Sequence, residues 1–334
     1  MTFALDGLAA IDAWALAAIV AKASGYAAAL LAMGGPLFLL AFAREAPRAE
    51  WHDPRGTGRP AAARSLGAAA TQNGMAPRTV PLLASEVGRL VRRVAAAAAL
   101  VGLAVLALRF GIRAARISGM GVEAMTDPTM LVFVWQSPLG AAAVWRGAGE
   151  VLVLLILLPG AIGLGLASVG ALLIAASYSM VGHSLGDPRW LLATLLVVHL
   201  LAAAYWVGAL VPLRRAAASP DGAALLHRFG VIASGTVTLL IAVGASFAWL
   251  LSGSLGALFG TAYGWTLLAK IAVVGGLLGL AALNKFRLVP ALERGEPDAP
   301  RALRRSIAWE AAAVALILVA TATLTTVTTP PVNL

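Results

Sequence analysis

The run Leu191–Pro212, LLATLLVVHLLAAAYWVGALVP, contains no Asp, Glu, Lys or Arg. As a helix rising about 1.5 Å per residue, it matches the roughly 30 Å hydrocarbon core of a bilayer. Inside hydrocarbon each backbone N–H and C=O must be satisfied within the protein, so a run of this kind crosses as a helix. It also carries one titratable group, His199, with Trp206 seven residues further on and so on the same face. An ionisable side chain several turns inside an apolar span marks a candidate functional position. The alternative is a histidine held by a hydrogen bond to a neighbouring helix.

Seven further apolar runs fit the same template. With 60% hydrophobic and 12% charged residues, the chain has too little polar surface for a soluble fold. The expected fold class is therefore all-α: a polytopic membrane protein of eight transmembrane helices. Helix 1 is expected over about Ile11–Phe42, interrupted at Gly34, Gly35 and Pro36, and helix 2 over about Gly88–Leu108. Helices 3 and 4 are expected over Gly140–Leu158 and Ala161–Val181, with Pro159-Gly160 turning the chain between them. Helix 5 is the opening run. Helices 6, 7 and 8 fall at Phe229–Leu251, Trp265–Leu283 and Ile307–Val327. The N-terminus lacks a basic segment before its apolar run and a small-residue cleavage site, so helix 1 is expected to be retained.

The net charge of +10 sits in loops and reports orientation, with no nucleic acid implied. Arg44–Arg89, Arg214–Arg228 and Lys285–Arg305 follow helices 1, 5 and 7 and hold most of the basic residues. The long loop 43–88 is thus expected to be cytoplasmic and both termini to face outward. Arg109, Arg113 and Arg116, after helix 2, break the pattern.

The chain reads as two parallel four-helix repeats, residues 1–181 and 182–334. Gly140 and Arg146 open helix 3 with the spacing at which Gly264 and Lys270 open helix 7. Lys22 in helix 1 aligns with His199 in helix 5 within a residue or so.

Chemistry is confined to a few side chains. With no cysteine, thiolate sites and disulfides are excluded. Met120, Met125 and Met130 are three of seven methionines, spaced by five on one loop, and thioethers select Cu(I). Met180 and His183 lie one helical turn apart at the expected outer end of helix 4, and imidazole accepts Cu(I) or Cu(II). The competing reading is that methionines fill gaps in apolar packing. The other intramembrane polar residues are Lys22, Arg146, Glu150, Lys270 and Glu310. Arg146 and Glu150, one turn apart, are placed to pair; Lys270 and Glu310 are expected to snorkel or form a structural ion pair. His52 and His227 fall on the inner side. No Walker loop, dinucleotide fingerprint or catalytic triad is present, and the chain is not expected to be an enzyme.

Several segments resemble the copper resistance protein D family. They are Gly182-His183, HLLAAAYWVGAL from His199, HRFGVIASG from His227, GTAYGWTLLAK from Gly260, SIAWE from Ser306 and the ending TTVTTPP, together about residues 135–332. The resemblance implies an eight-helix protein that moves copper across the cytoplasmic membrane, served by a separate periplasmic copper carrier of the CopC type. On the residues themselves two other readings stay open. One is a haem-dependent membrane oxidoreductase, which needs a second axial histidine at the depth of His199. The other is a copper sensor or assembly partner that transports nothing. A topology reporter fused at residue 60 is expected to report from the cytoplasm; a periplasmic signal would reverse the orientation and the side assigned to His183.

Overall fold

The computed structural model describes residues 12–42, 85–182, 188–218, 222–252 and 254–327. Among these, eight helices are long and apolar enough to span a membrane. They are α1 (Ala13–Phe42), α2 (Glu86–Ser118), α3 (Pro138–Leu154), α4 (Gly160–Tyr178), α5 (Arg189–Ala216), α6 (Ala223–Ser252), α7 (Ala262–Leu283) and α8 (Ala299–Leu324). Successive helices run antiparallel. One end of the bundle therefore carries the starts of α1, α3, α5 and α7 and the finishes of α2, α4, α6 and α8.

α1 is the centre. It packs on α2, α4, α5 and α8, and Met33, Phe38 and Leu39 on it are fully buried. The expected interruption at Gly34-Gly35-Pro36 does not occur; α1 runs unbroken through all three. The glycines instead make a crossing. A methyl group at Gly34 would overlap the Ala204 carbonyl oxygen and come within 2.6 Å of the Gly208 Cα. Gly208 faces Gly34 in the same way, so the backbones of α1 and α5 touch directly. Helices in lipid gain no hydrophobic drive from associating, and close backbone contact at small residues replaces it. α3 and α4 use the same device, where a methyl on Gly149 would stand 2.7 Å from the Gly170 carbonyl oxygen.

α2 runs ten residues beyond its expected end, because Arg109, Arg113 and Arg116 do not stop a helix that has already left the apolar run. Ser85 caps its start by accepting from the Gly88 N–H at 3.1 Å. The segment that follows is not an open loop: a 3₁₀ turn, Gly121–Met125, leads to a short helix, Pro128–Trp135, capped by Asp127. α6 packs chiefly on α5, and α7 chiefly on α8. Both are largely exposed within the chain. After Leu283 the chain enters a π-helical turn, Asn284–Leu288, before the short helix Val289–Glu293.

Arginines fasten the end at which α1 finishes. Arg92 donates to the Ile156 and Leu158 carbonyls in the α3–α4 turn, and Arg228 donates to the Ala41 carbonyl at 3.2 Å.

If backbone contact holds the bundle centre, Gly34→Ala should lower stability by about 1–3 kcal/mol. Gly165→Ala, whose added methyl meets nothing within 4 Å, should be neutral or stabilising by up to about 1 kcal/mol. Thermal melts in detergent compare the two.

Candidate functional site

His199 lies on α5 about ten residues, or roughly 15 Å, past the helix start. Its ring is half-buried and meets the Phe247 ring of α6 edge-on, with centroids 6.5 Å apart. Nδ1 is buried and has no hydrogen-bond partner among the described residues. Lys270, eight residues into α7, is within electrostatic reach. α7 forms no substantial packed interface with α5 or α6, so His199 and Phe247 come from two packed helices and Lys270 from a third that touches them little. Lys270 was expected near a helix end and snorkelling. It is held at depth because α7 begins at Ala262, a full turn earlier than its apolar run.

A second polar group lies where α5, α7 and α8 meet. Glu310 is 5% exposed and accepts from the Asn284 side-chain amide at 2.5 Å. Asn284 Oδ1, Ser306 Oγ and Trp206 Nε1 are buried beside it without hydrogen bonds among the described residues. The Trp206 indole lies against the Glu310 carboxylate but misses hydrogen-bond geometry. Glu310 therefore does not snorkel: α8 starts at Ala299 and carries it more than two turns inward. Trp206 shares His199's nominal face yet packs differently, against Phe229 with centroids 6.1 Å apart.

The third group is strongly basic. Lys22 on α1 donates to the Thr325 carbonyl at 2.6 Å, and Tyr26 bonds the Thr325 hydroxyl at 3.2 Å. Arg146, 6% exposed, donates to Ser177 Oγ at 3.1 Å and stacks on the Tyr178 ring at 3.7 Å. The expected Arg146–Glu150 pair is not formed. α4 offers Arg146 a hydroxyl and an aromatic face across the α3–α4 contact, while Glu150 turns against Gly102 of α2. Glu150 is 1% exposed, and its Oε2 has no hydrogen-bond partner among the described residues.

The soft donors are spread out. Met120 is exposed, Met130 is half-buried on the short helix, and Met125 packs on Gly111 of α2. Met180 closes α4 and lines a groove of about 680 Å³ with Ser179, Pro188, Arg189, Trp190 and Ala193. His183 and His52 lie outside the described residues. His227 places Nδ1 3.1 Å from Glu293 Oε1 beside a cleft of about 250 Å³ at the opposite end. Among the described residues no three His, Asp or Glu side chains are grouped as a metal site.

Sequence reasoning missed Asn284 and Arg109. Asn284 sits one residue past the apolar run of α7, where it reads as a loop residue, although it is a buried polar partner for Glu310. Arg109 looked like part of an irregular loop and is instead a half-buried position within α2, against Gly25.

These features define a class: a multi-pass helical membrane protein with ionisable groups placed inside its bundle. A family model described as copper resistance protein D matches residues 223–324. A curated copper resistance protein D from Pseudomonas syringae pv. tomato is 28% identical over 258 residues, 68% of this chain and 80% of the relative. Over these residues the chain is similar to the copper resistance protein D family. No solved structure matches it significantly.

The Glu310 group makes a separable prediction. Glu310→Leu strands the buried Asn284 amide and should cost about 1–3 kcal/mol. Glu310→Gln keeps an acceptor oxygen there and should cost less. Chemical or thermal unfolding in detergent distinguishes them.

Proposed function

We propose that the protein moves copper ions across the bacterial cytoplasmic membrane, in the service of copper homeostasis. The observation that carries this reading is His199, half-buried inside a span against Phe247 of α6, with an Nδ1 that has no hydrogen-bond partner among the described residues. Imidazole ligates copper through an unprotonated ring nitrogen, and near pH 7 an ordinary histidine is mostly neutral. Copper is cargo here.

The similarity to copper resistance protein D supports copper as that cargo. The Met180 groove supports entry at the end where α1 begins, taken as periplasmic from the arginine pattern. Met120, Met125, Met130 and His183 are proposed to serve capture at that end, receiving copper from a separate CopC-type carrier. From the groove residue Ala193 the path along α5 to His199 is about 9 Å. Inward movement of Cu(I) follows the membrane potential, worth about 2.3 kcal/mol per charge per 100 mV. Lys270 stands near the level of His199, where it would work against passage whenever its amine is protonated. We read it as the brake that sets how often an ion crosses. The proposed repeat gives α1 and α5 equivalent places, with Lys22 and His199 as approximate counterparts.

Copper uptake into proteoliposomes tests the reading. His199→Phe should insert and fold normally and lose at least tenfold in uptake rate, while copper binding at the groove persists. Trp206→Leu should lose less. Uptake by His199→Phe equal to the parent would return this histidine to packing.

A further inference from the structure

The copper path proposed above does not use the basic group around Lys22, and the chemistry of that group is opposite in sign. Lys22 stands nine residues into α1, Arg146 eight residues into α3, and Arg109 nine residues before the end of α2. Each lies about 12–14 Å from the same end of the bundle. Three helices thus bring three cations to one level. The contacts tie them into one group: Lys22 to Thr325, Tyr26 to Thr325, Tyr26 to Tyr178 with ring centroids 5.6 Å apart, and Tyr178 to Arg146. Arg109 lies along Gly25, between Lys22 and Tyr26 in the sequence of α1.

Among the described residues the group makes no ion pair with a carboxylate. Lys22 donates to a carbonyl and, at 3.4 Å, to the Thr326 hydroxyl; Arg146 donates to a hydroxyl and an aromatic face. These neutral partners satisfy N–H groups but cancel no charge. The charges acting on Lys22 are those of Arg109, Arg116, Arg113 and Arg146, all positive. Among the described residues none of the five enters an ion pair. Glu150, the carboxylate on the same helix as Arg146, is turned to Gly102 of α2; it stays within electrostatic reach of Arg146 without forming an ion pair. Several like charges held together away from bulk water cost far more than their hydrogen bonds return, unless an anion joins them.

The geometry points to a binding site for a phosphate-type anion formed by Lys22, Arg109 and Arg146, with Tyr26 and Thr326 as hydroxyl partners. Guanidinium forks suit phosphate oxygens, which accept two parallel N–H bonds. Arg113 and Arg116, exposed one and two turns beyond Arg109, extend the positive field toward the membrane surface. This assignment also explains the arginines of α2 that break the charge pattern of the other loops. Two sources supply such a group: the headgroup of an anionic lipid, or a free anion from water. Next along the chain come exposed Val122, Val132, Phe133 and Trp135. Apolar and aromatic side chains of this kind settle at the lipid interface, where a headgroup is at hand.

The test uses the full chain, stripped of lipid in a neutral detergent. Its melting temperature is followed against added phosphatidylglycerol, phosphatidylcholine and inorganic phosphate, and native mass spectrometry counts retained lipid. The parent should gain about 5 °C with phosphatidylglycerol or with inorganic phosphate, and less with phosphatidylcholine. A response to phosphatidylglycerol alone assigns a lipid headgroup; a response to inorganic phosphate assigns a soluble anion. Arg109→Gln should weaken the responding anion at least tenfold, and Arg109→Lys by less, whereas Arg301→Gln at the far end should respond like the parent. Arg109→Lys preserves charge and packing, so a general folding defect in Arg109→Gln is separable from loss of the site. No anion-dependent shift in the parent, or an undiminished response in Arg109→Gln, would overturn the site.

Discussion

The contact between Gly34 and Gly208 is the constraint on which the other packing depends. Two backbones that touch fix the separation and the level of α1 and α5, and every neighbour is placed by reference to that pair. α2 and α4 close around α1, and α8 lies against both α1 and α5. The level set by the crossing puts Lys22 twelve residues to one side along α1, and His199 nine residues to the same side along α5. Two chemically opposite positions are therefore held in parallel helices on one half of the bundle, in separate surroundings.

Both surroundings follow from what each helix finds opposite it. Lys22 meets the residues just past α8, where the Thr325 carbonyl and the Thr326 hydroxyl accept from its amine. His199 meets Phe247 of α6 edge-on, and its buried Nδ1 finds no hydrogen-bond partner among the described residues. Glu310 faces the π-helical turn at Asn284, a distortion that brings a side-chain amide inward at the end of a span. Buried polar groups in lipid are tolerated where neighbouring helices supply partners, and the three groups differ in how fully they do so.

Much of this was legible in the sequence. Eight spans follow from runs without charge, since hydrocarbon tolerates little else, and His199 stood out as the titratable group within one of them. The Gly-Gly-Pro string in α1 was legible only as a break. In water glycine and proline weaken helices, whereas in a bilayer the same residues permit close approach, and the local string does not say which solvent-facing rule applies. Helix ends were misjudged where a helix continues past its apolar stretch, as α2 does to Ser118 and α8 does back to Ala299. The partners of Arg146 were not legible either. Spacing showed Glu150 one turn away, but Ser177 and Tyr178 arrive from another helix through tertiary packing.

α6 and α7 each hold the bundle along one flank and leave the rest of their surface to lipid. Their vertical position is consequently governed by the bilayer as much as by the protein. A membrane thicker or thinner than the apolar length of these two helices would tilt them before it disturbed α1 or α5. Because Phe247 and Lys270 ride on them and His199 does not, such tilting would shift both side chains relative to the imidazole. Lipid composition thereby becomes a mechanical input to the intramembrane histidine.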